Sequence, residues 1–203
     1  MDLYLFDFDK TLYGYNFLHR LPALSRTSGV SQYDLASAWW AGGYEARAEA
    51  GEWPDADSYL AKFEEVTGAH LTITQWQDAR IAAMTRIDSS VEALRRCAEL
   101  GTVSLFSNNP SIFAASFSRL APDVAEILGP NVVISCELGA RKPTPESYAR
   151  VLSRFDATPQ STFFVDDNLG NIRGAIAAGI SGHHFTDPLL LDEAITAFAG
   201  RKK

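Results

Sequence analysis

Apolar and polar positions along this chain come in blocks. The first, Leu3-Tyr4-Leu5-Phe6, is a continuous apolar run with β character, cut off by two acids spaced two apart, Asp7 and Asp9. Such a run reads as a buried strand that delivers carboxylates to its own C-terminal end. Gly14-Tyr15-Asn16 reads as the exit from the sheet. Over residues 17–87 the pattern turns helical and no strand is predicted. Leu35, Ala38, Trp39 and Gly42-Gly43 predict a helix and its stop. Pro54, with Asp55 and Asp57, opens another that carries Tyr59, Leu60, Phe63 and Val66 on one face and ends at Gly68. Thr74 is the predicted cap of a third, continued by Trp76, Ala79, Arg80, Ala83 and Met84.

From Asp88 helix and strand alternate. Ser89 or Ser90 caps a helix through Val91, Leu94, Cys97 and Ala98, which Gly101 stops. A strand over 102–106 ends at Ser107-Asn108-Asn109-Pro110, and helices follow over about 111–120 and 122–128. The next strand, 132–135, leads to a loop with Gly139-Ala140-Arg141-Lys142-Pro143. Thr144-Pro145 starts a helix that runs to about Phe155. A strand over 162–165 again ends in acids, Asp166-Asp167. A helix through Ile172, Ala175, Ile176 and Ala178 stops at Gly179, and the last short strand lies near His183-His184-Phe185. Strands alternating with helices of about ten residues predict a parallel sheet with helices on both faces. The expected fold class is α/β, a doubly wound parallel sheet built from residues 1–14 and 88–203, with residues 15–87 inserted as an all-helical cap.

The insert is rich in aromatics: Tyr15, Phe17, Tyr33, Trp39, Trp40, Tyr44, Trp53, Tyr59 and Trp76. Most are expected to form its small core. Adjacent helical positions do not both point inward, so one of Trp39 and Trp40 is expected to line a surface or cleft. Packing against the main domain is preferred there over contact with substrate.

Composition narrows the function. A chain of 203 residues with 46% hydrophobic and 21% charged residues has an ordinary globular composition. The net charge of −7 and the lack of a basic stripe argue against a nucleic-acid partner, Arg201-Lys202-Lys203 being only a short charged tail. Cys97 and Cys136 are expected as two buried thiols, which fits a cytoplasmic location. No signal segment or membrane span is expected. An acidic protein that binds an anion needs local positive charge or a metal.

Four apolar runs carry polar groups at their C-terminal ends: Asp7 and Asp9, Ser107 and Asn108, Lys142, and Asp166 with Asp167. In a parallel sheet these ends share one edge, where ligands bind. The set resembles the four motifs of the haloacid dehalogenase (HAD) superfamily, mainly Mg²⁺-dependent phosphatases with a Rossmann-like core. The insert falls where that superfamily's type-1 caps sit. Residues 135–179 further resemble the branch that holds glucose-1-phosphate phosphatases and the N-terminal phosphatase domain of soluble epoxide hydrolases.

The resemblance implies a Mg²⁺-dependent phosphomonoester hydrolase acting on a small phosphorylated metabolite, with a sugar phosphate as the finer expectation. Asp7 is then the nucleophile and Asp9 the group that protonates the leaving oxygen and later deprotonates water. Ser107 and the Asn108 amide hold phosphoryl oxygens, and Lys142 is a point charge between phosphate and nucleophile. Asp7 and Asp167 supply hard oxygen ligands to the Mg²⁺, with the Asp9 backbone carbonyl added by resemblance. Either Asp166 or Asp167 can be the direct ligand. The resemblance favours Asp167, leaving Asp166 to bond water or Lys142. Thr11 is expected to support the turn and orient Asp7. Lys10 stands where the superfamily often has Gly. A phosphosugar mutase shares this chemistry, and a 2-haloacid dehalogenase shares the fold but gives Asp9 and the acid pair no purpose. The sequence does not distinguish a monomer from a homodimer.

Overall fold

Leu3, Tyr4, Leu5 and Phe6 are all buried because their strand is central, with a partner on either side. In the computed structural model, which describes residues 1–201, the strands are β1 (Leu3–Phe6), β2 (Tyr13–Tyr15), β3 (Met84–Arg86), β4 (Thr102–Ser107), β5 (Val132–Ile134), β6 (Thr162–Asp166) and β7 (Ser181–His184). Lys202 and Lys203, the end of the expected charged tail, lie outside the described residues. Five strands form a parallel sheet in the order β5-β4-β1-β6-β7. The side chains alternate between two cores. Leu3 and Leu5, with Phe106, Val133 and Phe164, pack against Tyr148, Val151, Ile172 and Ala175. Tyr4 and Phe6, with Val103, Leu105, Phe163 and Val165, pack against Leu94, Phe113, Leu191 and Phe198. Each large apolar side chain buried this way contributes about 1.5–3 kcal/mol. The result is the expected α/β sheet with helices on both faces.

Three expectations about elements are corrected. The chain leaves the parallel sheet after β1 as expected, but 17–87 does contain a strand, β3, which pairs antiparallel with β2, Tyr15 opposite Met84 and Tyr13 opposite Arg86. Three-residue strands are too short to show a period of two. The third insert helix spans Ile73–Ile81 and is capped by Thr72 rather than Thr74; Thr72 Oγ1 accepts from Gln75 N at 3.2 Å and Gln75 Oε1 accepts from Thr72 N at 2.8 Å, a reciprocal capping box. The helix assigned to a Ser89 or Ser90 cap already starts at Asp88, with Ser90 buried inside it. A last helix, Pro188–Gly200, follows the final strand, with Pro at its first turn and Asp187 Oδ1 accepting from Leu189 N at 2.8 Å.

Between β2 and β3 lie the helices Phe17–Ser28, Gln32–Leu35, Tyr44–Glu49, Ala56–Thr67 and Ile73–Ile81, and a π-helical turn, Ala36–Ala41. Trp39, Trp53, Tyr59 and Trp76 are buried as their core, whereas Tyr33 is exposed. Polar pins tie this layer to the sheet domain. Ser111 Oγ donates to the Trp53 and Asp55 carbonyls at 2.8 and 2.9 Å, Ser135 Oγ to the Glu49 carbonyl at 2.7 Å, and Gln77 Nε2 to Ser116 Oγ at 3.0 Å. At Gly51, whose φ is +92°, a Cβ would stand 2.5 Å from the Cys136 carbonyl oxygen, so the two layers meet backbone to backbone there. Among the described residues no helix is long and apolar enough to cross a membrane.

Candidate active site

The registers of β1 with β4 and β6 set Phe6 opposite Leu105 and Val165, so the residues just past these positions converge. Asp7 continues the ladder with its N–H on the Val165 carbonyl at 3.0 Å. Lys142, 1% exposed, arrives from the loop beyond β5 and fills the space between the strand ends. Its Nζ donates to Asp7 Oδ1 at 2.8 Å, to Asp166 Oδ2 at 2.7 Å and to the Phe106 carbonyl at 2.7 Å. Ser107 Oγ donates to Asp7 Oδ1 at 2.9 Å and accepts from Asn109 Nδ2 at 3.1 Å. The Asn108 side chain grips the backbone of Lys142 at both ends, its Nδ2 on the carbonyl at 2.8 Å and its Oδ1 on the N–H at 2.9 Å. Asp7, Asp9, Ser107, Asn108, Lys142, Asp166 and Asp167 all line one cavity of about 250 Å³.

Asp7, Asp166 and Asp167 each bring a carboxylate oxygen within 4.8 Å of the others. Lys142 neutralises one of these three charges, leaving two uncompensated at a largely buried spot. Burial pushes the Asp7 carboxyl up to about 7, against the pull of Lys142. Asp167 is also raised, by burial and then by Asp166. Burial works to lower Lys142, but Asp7 and Asp166 overcome it and raise the ammonium. A hard divalent cation fits such an oxygen cluster in charge and in donor type. Asp166 is heavily committed to protein donors: Oδ1 accepts from Asn168 N at 2.7 Å and Oδ2 from Lys142 and from Asn171 Nδ2 at 2.9 Å.

Asp9 sits apart from that cluster. Both its oxygens accept from Nη2 of Arg80, at 2.6 and 2.7 Å, and Arg80 is a buried residue of the helix Ile73–Ile81. Arg80 also lies over the Tyr15 ring, 4.3 Å from its centroid. Thr11 takes part in the turn, its N–H on the Phe8 carbonyl at 3.3 Å, but its buried hydroxyl has no hydrogen-bond partner, which corrects the expectation that it orients Asp7. Lys10 adopts φ +59°, a left-handed conformation that accounts for glycine being common at such a position.

A second cavity, of about 320 Å³, adjoins the first and shares Asp9, Lys10, Tyr15, Glu49 and Asn108 with it. Trp39 is the inward member of its pair, while Trp40 lines this cavity and packs on Phe17 and Phe63 of the insert. The preference for Trp40 packing on the main domain is thereby corrected. Sequence reading missed Arg80, Arg20, Glu45 and Glu49. Arg80 carried a signal, being a cation on the same helical stripe as Trp76 and Ala79; Glu49 carried none. Burial pushes the Glu49 carboxyl up to about 7 even though Arg141 Nη2 donates to it.

A parallel α/β sheet with a polar constellation at the carboxyl ends of its strands and a helical layer over it defines an α/β scaffold with its ligand site at that edge. The chain belongs to the haloacid dehalogenase-like hydrolases, whose family pattern matches residues 1–179. It is similar to a HAD family enzyme of Bacteroides thetaiotaomicron, with TM-score 0.77 at 19% identity over 92% of this chain and 94% of that one. The same enzyme in complex with magnesium and inorganic phosphate superposes with TM-score 0.74 at 18% identity over 92% and 94% of the two chains. A HAD-like family hydrolase of Porphyromonas gingivalis matches with TM-score 0.77 at 17% identity over 99% and 98%. A sesquiterpene phosphatase of Aspergillus oryzae is 47% identical over 51 residues, a segment that spans 25% of this chain and 26% of that relative.

Proposed function

We propose that this hydrolase is a Mg²⁺-dependent phosphomonoesterase that takes a small phosphorylated metabolite, a sugar phosphate being the finer reading. The observation that carries it is the convergence of Asp7, Ser107, Lys142 and the Asp166–Asp167 pair in one cavity. Asp7 and Asp167 would hold the Mg²⁺, together with the Asp9 backbone carbonyl, because Asp166 is already taken by Lys142, Asn168 and Asn171. When bound, the ion offsets the repulsion between a carboxylate nucleophile and a phosphate dianion. The phosphatase name of the Aspergillus relative, and the magnesium and phosphate in the Bacteroides enzyme, support this reading.

Asp7 attacks phosphorus through one carboxylate oxygen, and the bond to the ester oxygen breaks, giving an aspartyl phosphate and an alkoxide. Asp9 gives that alkoxide its proton. It then takes a proton from the water that attacks phosphorus and releases Asp7 and inorganic phosphate. Ser107 and the Asn108 amide hold the phosphoryl oxygens, and Lys142 keeps Asp7 in place. By gripping the Lys142 backbone, the Asn108 side chain fixes both elements. The charged walls of the adjoining cavity favour a small polar alcohol over the hydrocarbon named for the Aspergillus relative. A cytoplasmic setting fits the free thiols of Cys97 and Cys136.

The test is phosphate release from p-nitrophenyl phosphate and from a panel of sugar phosphates, with and without Mg²⁺. Turnover that needs Mg²⁺ and disappears in Asp7→Asn is expected. Full turnover in that variant sinks the mechanism.

A further inference from the structure

Arg20, on the helix Phe17–Ser28, lines the cap-side cavity although it is only 3% exposed. Its guanidinium lies by the rings of Trp76 and Trp40, 4.9 and 5.6 Å from their centroids, and its Nη1 donates to the Tyr15 hydroxyl at 3.0 Å. Its Nε and Nη2 are buried and have no hydrogen-bond partner. Among the described residues no carboxylate forms an ion pair with it, although Glu45 lines the same cavity. The Glu45 carboxylate is held instead by Trp39 Nε1 and, at 2.9 Å, by the Tyr59 hydroxyl. Buried donors are almost always paired, so unpaired ones on a residue that lines a cavity point to an acceptor brought by a ligand.

The position says which part of a ligand this is. The cavity meets the catalytic one at Asp9, so for a phosphate ester seated at Asp7 it receives the alcohol side. A hydrocarbon there would leave the Arg20 donors unmet. A second anion would face the carboxylates of Glu45 and Glu49. A group carrying several hydroxyls satisfies all of them, accepting from Arg20, donating to Glu45 and Glu49, and laying its C–H face on Trp40. We infer that Arg20 is a specificity-determining residue that donates to a hydroxyl of a polyhydroxylated leaving group. This rests on the phosphomonoesterase reading and adds to it the residue that selects the alcohol.

The experiment compares glycerol 3-phosphate with propyl phosphate, which differ in the hydroxyls alone, on the Mg²⁺-loaded enzyme. The expected kcat/KM ratio is at least about tenfold in favour of the hydroxylated ester, because a site built for hydroxyls rejects analogues that lack them. In Arg20→Met the ratio falls towards about one, and Arg20→Lys restores part of it. Equal handling of the two esters by the wild-type protein overturns the inference, as does a preference that survives in Arg20→Met. Should the methionine variant not fold, the wild-type ratio and the lysine variant decide. Calorimetric binding of the same two esters repeats the comparison without turnover. Preferential binding without hydrolysis would therefore keep the subsite and discard the phosphatase, whereas hydrolysis without preference would do the reverse.

Discussion

Replacing Arg80 with Met tests whether the helical layer sets the geometry of Asp9, the proposed proton donor. The substitution keeps an unbranched side chain against Tyr15 and Phe113 but deletes the two charge-assisted hydrogen bonds, 2.6 and 2.7 Å long, that hold both Asp9 oxygens. Stripping one partner from a fully buried ion pair costs about 3–5 kcal/mol, since the other charge is left unpaired. The Asp9 side chain keeps 28% of its surface and faces the cavity, so water recovers part of that loss. About 2–3 kcal/mol of stability should remain at stake, in line with charged hydrogen bonds measured elsewhere. The catalytic effect is separate. A freed carboxylate loses its aim at the leaving oxygen, and a misplacement of about 1 Å costs on the order of 100-fold. Urea unfolding and steady-state hydrolysis of p-nitrophenyl phosphate, run on wild type, Arg80→Met and Arg80→Lys, measure both. The lysine should recover stability better than rate, because a point charge cannot reproduce a planar donor. A methionine variant with an unchanged unfolding midpoint and kcat within about threefold of wild type would refute the reasoning.

Three further outcomes are expected. Lys142→Met strands Asp7 and Asp166 without their cation, so metal-free protein should lose about 3–5 kcal/mol in urea unfolding, and added Mg²⁺ should restore part of it. Burial pushes the Glu49 carboxyl of the folded chain from 4.5 up to about 7, so between these values the folded chain keeps a proton that the unfolded chain has released. Its contribution to stability therefore falls as pH rises through that window, by about 3 kcal/mol at most, and Glu49→Gln should flatten the slope of unfolding free energy between pH 5 and 8. Chelation with EDTA should abolish phosphate release and Mg²⁺ should restore it; undiminished turnover in EDTA would remove the metal from the mechanism.

The sheet was legible because four of its five strands are apolar runs bounded by turn residues, and their burial leaves few other ways to read such a run, whereas β7 is a half-buried Ser-Gly-His-His edge. The polar ends were legible for the same reason, since Asp7 follows directly on a buried strand and Ser107 and Asp166 are the last residues of theirs. The pair β2 and β3 escaped because its stability comes from pairing with a segment about seventy residues away, a contact that local pattern does not encode. Helix starts slipped by a residue or two where several polar residues compete for one cap, as Thr72 and Thr74 do.

Arg80 and Arg20 show a different kind of blindness. Each stands on a helical stripe of buried residues, Arg80 with Trp76 and Ala79, Arg20 with Leu24 one turn on. Periodicity scores such a position as a flaw in the stripe, whereas burial of a cation is expensive unless something uses it. For Arg80 the user is visible in Asp9. For Arg20 the chain supplies the Tyr15 hydroxyl and the rings of Trp76 and Trp40, and a ligand is inferred to supply the rest, which is why a cation on an otherwise apolar face belongs among the first places to look for what a catalytic cavity receives. In the proposed reading the strand ends handle the phosphoryl group, and discrimination among alcohols falls to residues of the insert such as these, placed by tertiary packing that no spacing rule along the sequence describes.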